Sequence, residues 1–228
     1  MVEVTSSAVS VILPVLNEED YLEHAVSAIL AQDFQGSIEV ILAIGPSRDR
    51  TLEIAKTLSE KDDRVKIVDN PTGRTAAGLN LAISNSTHPI IVRVDGHANI
   101  PSNYISIAVK LLNETGAVNV GGVMAAEGIT SFEKAVARAM RSPLGVGAAK
   151  FHTGGEAGET ETVYLGVFKK EALKAVNGFD EHFTRAQDWE MNYRIRTTGG
   201  KIWFNPDLKV THRRPVYLSC YTERINAR

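Results

Sequence analysis

Short β-branched runs alternate with stretches of helical apolar periodicity along the first 125 residues. Residues 9–16 predict a first strand, and residues 18–32 a helix with Leu22, Val26, Ile29 and Leu30 on one face. Residues 38–44 predict a second strand. A helix at 50–60 follows, with Asp49 as its N-cap and Leu52, Ala55 and Leu58 turned inward. Residues 65–68 predict a third strand, 75–83 a third helix and 89–94 a fourth strand. A helix at 101–112, opened by Pro101 at a tolerated first-turn position, leads to a further strand at 117–123.

This alternation implies βαβ units and a mainly parallel sheet. The near-continuous Val, Ile and Leu of the strands imply burial on both faces. The predicted class is α/β, with residues 9–125 forming a Rossmann-like nucleotide-binding half. The second half is less regular. It predicts a helix at 131–141, a Gly-, Thr- and Glu-rich loop at 142–161 and a strand at 162–168. A short helix at 169–176 is stopped by Asn177-Gly178, and a helix at 187–198 by Gly199-Gly200. Residues 202–204 and 208–211 read as two short closing strands.

A chain of 228 residues suffices for one large domain or two small ones with a real core. The formal charge of -2 argues against a nucleic-acid binder, which needs clustered basic residues. A lone cysteine, Cys220, excludes an intrachain disulfide framework and a multi-cysteine zinc site, and reads as a plain thiol. No secretory signal is visible, and no run approaches the roughly 18–20 apolar residues that span a bilayer.

Three segments carry candidate chemistry. Arg93-Val94-Asp95-Gly96-His97 puts a carboxylate and an imidazole two residues apart at a strand end, where both can ligate one divalent cation. On spacing alone a plain turn accounts for Asp95-Gly96 equally well. His212 follows the last strand and is the best third ligand. Asp188 falls in the first turn of a helix, where the dipole favours its ionised form, and it can accept a proton from a hydroxyl. Stabilising its own helix is the simpler role for it. Glu190 points elsewhere, about 200° round the axis at ~3.6 residues per turn. The turn Pro14 to Glu19 ends a strand and opens a helix, a place where backbone N–H groups can meet a nucleotide. It lacks the glycines of a dinucleotide or P-loop site.

In this order and spacing the segments resemble the family 2 glycosyltransferases of GT-A fold. The resemblance runs from Val9 to His212. It rests on residues 9–19, on Ser47 to Thr51, on Gly73 to Asn80, on Val94-Asp95-Gly96-His97, on Gly178 to Glu181 and on Gln187 to Glu190. Val-Asp-Gly-His together with Gln-Asp-Trp-Glu looks most like the bacterial exopolysaccharide branch, similar to succinoglycan-type β-1,3-glucosyltransferases.

The resemblance implies a single GT-A domain over 1–228, with a nucleotide-sugar half at about 9–125 and an acceptor and catalytic half at about 126–212. It implies an inverting transfer of a sugar from a nucleotide-diphosphate sugar to a saccharide or lipid-linked acceptor, in polysaccharide or glycolipid synthesis. Pro14 and Asn17 would line the nucleobase and ribose pocket. Asp95 would touch ribose or metal, with His97 and His212 as further ligands of Mn2+ or Mg2+. Asp188 would be the general base and Gln187 would replace the family's Glu beside it. Arg74 and Asn80 would sit near the diphosphate or sugar, and Glu190 would be the acidic residue just beyond. A cytoplasmic protein at the inner face of the membrane follows, associated peripherally or through a segment lying beyond Arg228. Ile44 stands where the family often has the Asp that reads uracil, so UDP is the expected nucleotide of the family but not one this position supports.

Two other readings compete. A sugar-nucleotide pyrophosphorylase would need Gly and a basic residue in the first loop, and residues 14–20 have neither. A non-catalytic sugar-nucleotide-binding or interaction protein derived from the same fold is the alternative. His24, His88, His152 and His182 read as surface or loop residues, and Trp189 with Tyr193 as packing residues. Trp203 reads as core, and Glu156, Glu159 and Glu161 as solvated.

Overall fold

The computed structural model describes residues 8–126, 151 and 154–212. In chain order the elements are β1 (Val9–Val15), α1 (Leu22–Leu30), β2 (Ile38–Ile44), α2 (Thr51–Lys61), β3 (Val65–Asp69) and α3 (Thr75–Asn85). Then come β4 (Ile90–Arg93), β5 (Ala98–Asn99), α4 (Tyr104–Thr115) and β6 (Asn119–Ala126). The chain continues with β7 (Gly158–Glu159), β8 (Tyr164–Lys169), α5 (Lys170–Ala175), α6 (Gln187–Thr197) and β9 (Ile202–His212). The predicted helix at 131–141, most of the predicted loop at 142–161, His152 and Cys220 lie outside the described residues.

The strands form one sheet in the order β3-β2-β1-β4-β8-β6-β9-β5, with β7 paired to β9. The strands β3, β2, β1 and β4 are parallel, as their βαβ connections require. Beyond β4 the sheet is mixed. β8 enters antiparallel to both β4 and β6, and β6 and β9 run parallel.

The period of two along each strand sorts its side chains into two cores. Val9, Val11, Leu13 and Val15 of β1 join Val40, Leu42 and Ile44 of β2 on the face covered by α1, α2 and α4. Ile12, Ile41, Ala43 and Ile91 face the opposite side, where they meet Ala76, Leu79 and Ala82 of α3 and Met191 and Ile195 of α6. The result is a three-layer α/β/α sandwich.

Several elements depart from the expected bounds: α4 starts three residues after Pro101, β6 is shifted to Asn119–Ala126, and β5 and β7 are strands that were not expected. Two further departures follow from identifiable contacts. The first helix begins at Leu22 rather than near residue 18, because the N–H groups of residues 17–19 bond side chains of the next loop. The two closing strands are one strand, β9. Its pairing with β6 slips between Gly121 and Val123, so Gly121 faces Phe204 while Val123 faces Lys209. Pro206 lies in this slipped stretch, where its missing N–H breaks no ladder bond. The Asp207 N–H bonds Asn205 Oδ1 at 2.7 Å across the bulge. Asp49 does accept the Thr51 N–H at 3.0 Å, although the residue flanking the helix is Arg50.

Among the described residues no helix is long and apolar enough to cross a membrane.

Candidate active site

The strand order reverses between β1 and β4, since the chain runs from β1 out to β3 and then returns to β4. Open α/β sheets form their ligand crevice at such a reversal, beyond the carboxyl ends of the strands. Here the turns after β1, β2 and β3 converge beside it. A methyl at Gly45 would lie 3.0 Å from Gly73 Cα and 3.1 Å from a Leu16 methyl, so neither β2 nor β3 could carry a larger turn. Gly73 also has φ +64, which disfavours any side chain there.

The β1 turn is held from within. Asn17, at φ 55, donates its N–H to Ser47 Oγ at 3.1 Å and accepts the Arg48 N–H on Oδ1 at 2.8 Å. The Glu18 N–H bonds Thr51 Oγ1 at 2.7 Å and the Glu19 N–H bonds Asp49 Oδ2 at 3.2 Å. The backbone N–H groups expected to meet a nucleotide are therefore occupied by the 47–51 loop.

Across the crevice, β4 ends at Arg93 and the chain turns through Asp95-Gly96-His97. The turn is closed by the Ala98 N–H on the Asp95 carbonyl at 2.9 Å. His97 Nδ1 and Glu18 Oε1 are 2.9 Å apart, so the two turns flanking the crevice are joined by an imidazole–carboxylate contact. Glu18 is 5% exposed.

Arg93 is the electrostatic centre of the site. Its side chain is 6% exposed, and its guanidinium donates to Asp188 Oδ1 and, at 3.3 Å, to Asp95 Oδ1. Phe179 lies below it, with the guanidinium carbon 5.9 Å from the ring centroid. Tyr164 on β8 reaches Asp95 Oδ2 at 3.5 Å. Burial disfavours the Arg93 charge, but Asp188 and Asp95 outweigh it and raise its pKa above the usual arginine value. Burial raises the Asp188 carboxyl above the ordinary aspartate range; Arg93 opposes the shift and repulsion from Asp95 adds to it.

Helix α6 delivers Asp188 in its first turn and fixes it from below. Asn192, one turn on, accepts from the Asn119 amide at 2.7 Å and donates to Thr162 Oγ1 at 2.8 Å. Arg194 grips both Glu190 oxygens, at 2.5 and 2.6 Å, and donates to the Val176 carbonyl and, at 2.9 Å, to that of Gly178. The inward face of α6 is thus Met191, Asn192 and Ile195. Trp189 and Tyr193, expected to pack, do so on each other, stacked at the surface and about half exposed.

The structure brings Asp95 and Asp188 onto the same guanidinium, and sets His97 in the same turn as Asp95. His212 sits opposite Ala98 in the ladder of β5 and β9, so its backbone lies beside His97; only its backbone is described. Gln187 opens α6 and is half-buried. Pro14 lies under α3, where a methyl at Gly78 would stand 3.4 Å from its Cβ. Arg74 is exposed at the start of α3.

Asn80 is engaged elsewhere on α3. Its amide donates to the Phe179 carbonyl at 2.8 Å and to Glu181 Oε1 at 3.0 Å, and its oxygen accepts the Phe179 N–H at 2.8 Å. It holds the turn that places Phe179 against Arg93. Gly178 in that turn has φ +71, and a methyl there would meet Asn80 Oδ1 at 2.5 Å.

Arg93, Glu18 and Tyr164 are the site residues that sequence reasoning gave no role. A signal existed for the first: a charged residue closing an otherwise apolar strand is out of place unless something pairs with it. The partners of Glu18 and Tyr164 are 79 and 69 residues away and leave no local trace.

Comparison with known proteins gives the family and the fold. The Glycosyl transferase family 2 model matches residues 10–176. The chain is 34% identical over 203 residues to the succinoglycan biosynthesis protein ExoA of Rhizobium meliloti, covering 88% of this chain and 62% of that protein. It is 24% identical over 211 residues to a dolichyl N-acetyl-alpha-D-glucosaminyl phosphate 3-beta-D-2,3-diacetamido-2,3-dideoxy-beta-D-glucuronosyltransferase of Methanococcus voltae, covering 88% and 65%. The chain thus spans just under two thirds of the length of these relatives. Among solved structures it shares its fold with S. aureus TarS 1-349 in complex with UDP, at TM-score 0.68 and 18% identity over 90% of this chain and 60% of that one. It likewise shares it with the mannosyltransferase PcManGT of Pyrobaculum calidifontis in complex with GDP-Man and Mn2+, at TM-score 0.67 and 24% identity over 90% and 56%. With the family model covering well over half of its length and the fold in agreement, the chain belongs to glycosyltransferase family 2.

Proposed function

We propose that the chain transfers a sugar from a nucleoside-diphosphate sugar to an acceptor hydroxyl with inversion, in the synthesis of an extracellular polysaccharide or a glycolipid. The observation that carries this reading is the placement of Asp95 and Asp188 on opposite sides of one buried guanidinium, at the strand reversal. Asp95 belongs to the turn facing a donor, and Asp188 to the helix facing an acceptor.

Asp188 takes the proton of the acceptor hydroxyl as that oxygen attacks the anomeric carbon. The new C–O bond forms on the face opposite the leaving group, the bond to the diphosphate oxygen breaks, and the nucleoside diphosphate departs with the electron pair. One displacement inverts the configuration. The raised pKa of Asp188 makes it a better base than a solvated aspartate.

The donor set suits a hard or borderline divalent cation, Mn2+ or Mg2+. Asp95 would offer oxygen and His97 nitrogen, with the Glu18 contact on Nδ1 orienting the imidazole. His212 would be the third ligand. Among the described residues no three His, Cys, Asp or Glu side chains form a ready cluster. A bound cation would supply charge stabilisation to the departing diphosphate.

The ligands of the fold neighbours, UDP, UDP-GlcNAc and GDP-Man with Mn2+, support a nucleotide-sugar donor. Ile44 is 4% exposed within the core, so it offers a nucleobase no hydrogen bond. The succinoglycan biosynthesis relative supports a place in polysaccharide synthesis; the acceptor of this reading is a saccharide or a lipid-linked one, met at the inner face of the membrane.

Thermal melting of the chain with UDP, GDP, UDP-GlcNAc and GDP-Man, each with and without Mn2+, tests the reading. Ligand at a hundredfold excess over Kd raises stability by about 2.7 kcal/mol. A cation-dependent rise with one nucleotide class is expected. A cooperative melt that no nucleotide moves would overturn the donor reading and point to the interaction-protein alternative.

A further inference from the structure

Arg93 has no role in the reaction just described, yet its placement is costly. A guanidinium in a site 6% exposed must be compensated, and here two carboxylates and an aromatic face do so. Those partners come from three different places. Asp95 is on its own turn, Asp188 is on α6, and Phe179 is on a turn clamped by Asn80. Arg93 Nε has no hydrogen-bond partner among the described residues, so the fork of the side chain is aimed wholly at the two carboxylates.

Resting on the reading of Asp188 as the base, we propose that Arg93 is the positioning residue that aims the Asp188 carboxylate at the acceptor and ties it to the donor turn. Asp188 is held on one oxygen, Oδ1, leaving Oδ2 as the oxygen for the acceptor proton. The anchor is the last residue of β4, which pairs with Ile12 of β1 in the rigid parallel part of the sheet. The same guanidinium touches Asp95, so the donor turn and the base share one rigid reference, as a near-attack geometry requires. The single positive charge also allows two carboxylates to stand in one crevice without driving each other apart.

A purely structural Arg93 would lower stability without discriminating between catalytic steps. A positioning Arg93 lowers turnover through Asp188 and leaves donor binding largely in place. The test uses UDP-GlcNAc, UDP-glucose and GDP-Man with Mn2+, following nucleotide release to water, a reaction that needs no acceptor. R93M, R93K, D188N and R93M/D188N are compared with the unmodified chain on the donor it cleaves. R93M is expected to lower kcat by about 10²-fold, the scale of a base displaced by roughly 1 Å, with donor KM within about threefold. R93K, which keeps the charge but not the fork, is expected to recover part of the loss. R93M/D188N is expected to be no slower than D188N, because two residues acting as one unit are not additive.

An R93M that turns over within about threefold of wild type, or whose loss lies in KM alone, overturns the proposal, as does a double variant that loses both factors. Should R93M fail to melt cooperatively, R93K decides: full wild-type turnover with the fork removed would dismiss the aiming role. A D188N that stays active instead sinks the base assignment and this proposal with it. A chain that cleaves none of the three donors overturns the donor reading on which both rest.

Discussion

His97 Nδ1 lies 2.9 Å from Glu18 Oε1, and this contact closes the crevice between the turns after β1 and β4. A carboxylate on one ring nitrogen fixes the imidazole's orientation and raises the basicity of the other, which is how cation-binding histidines are commonly supported. E18Q removes that charge while keeping the shape. It is expected to weaken Mn2+ binding in the presence of UDP by about 10–100-fold, read from the spin-resonance signal of free Mn2+. Unchanged Mn2+ affinity would separate Glu18 from the cation and leave it a purely structural contact.

D188N keeps the volume of the proposed base and removes its ability to take a proton. Its kcat is expected to fall by about 10²–10⁴-fold, with nucleotide affinity unchanged, in a variant that still folds. Near-wild-type turnover measured by nucleotide release would show that another group accepts the proton.

Glu39 sets an acid limit on stability far from the crevice. Burial alone would raise its pKa. Hydrogen bonds from Lys66, Ser10 and Thr87 outweigh burial and bring it from 4.5 to about 2. Lys66 Nζ lies 2.7 Å and the Thr87 N–H 2.6 Å from its oxygens. A depressed carboxylate contributes stability that is complete above the unfolded value and is lost as pH falls through the folded one. The contribution, on the order of 3 kcal/mol, therefore declines from about pH 4.5 to about pH 2. E39Q is expected to lower the melting temperature at pH 7 and to flatten the acid limb in that window. An acid limb as steep in E39Q as in the unmodified chain would assign the loss to other carboxylates.

Asn192 joins α6 to β6 and to the approach of β8, through Asn119 and Thr162. N192L leaves the buried Asn119 amide without its acceptor, at a cost of about 1–3 kcal/mol. A lower denaturant midpoint at unchanged slope is the expected result. A midpoint equal to that of the unmodified chain would mean that α6 is held by Arg194 and its apolar face alone.

The elements of the first 125 residues were legible because they depend on periodicity, which is local. Val9, Val11 and Leu13 against Ile12, or Leu22, Val26 and Ile29, announce their faces without knowledge of a partner. That Asp95, His97 and Asp188 lie at element ends was legible for a similar reason, since ends are marked by turn and cap residues; the roles proposed for them come from the family resemblance. What could not be read depends on distant contacts. The late start of α1 is decided by Ser47, Asp49 and Thr51 reaching back some thirty residues. The continuity of β9 through Pro206 is decided by β6 alongside it. The outward turn of Trp189 follows from Asn192 finding Asn119 across the sheet. The pairing of Arg93 with Asp188 spans 95 residues.

That pairing also limits how the chain can be recombined. A chimera joining residues 162–212 to the first half of another scaffold would leave Asp188 half-buried, facing whatever closes that scaffold's fourth strand. Without an arginine there, the graft would carry an uncompensated carboxylate, and the reverse graft an orphaned guanidinium, each strongly destabilising. The two segments are therefore not freely exchangeable. Moving α6 into another scaffold means moving the last residue of β4 together with the helix that bears Asp188.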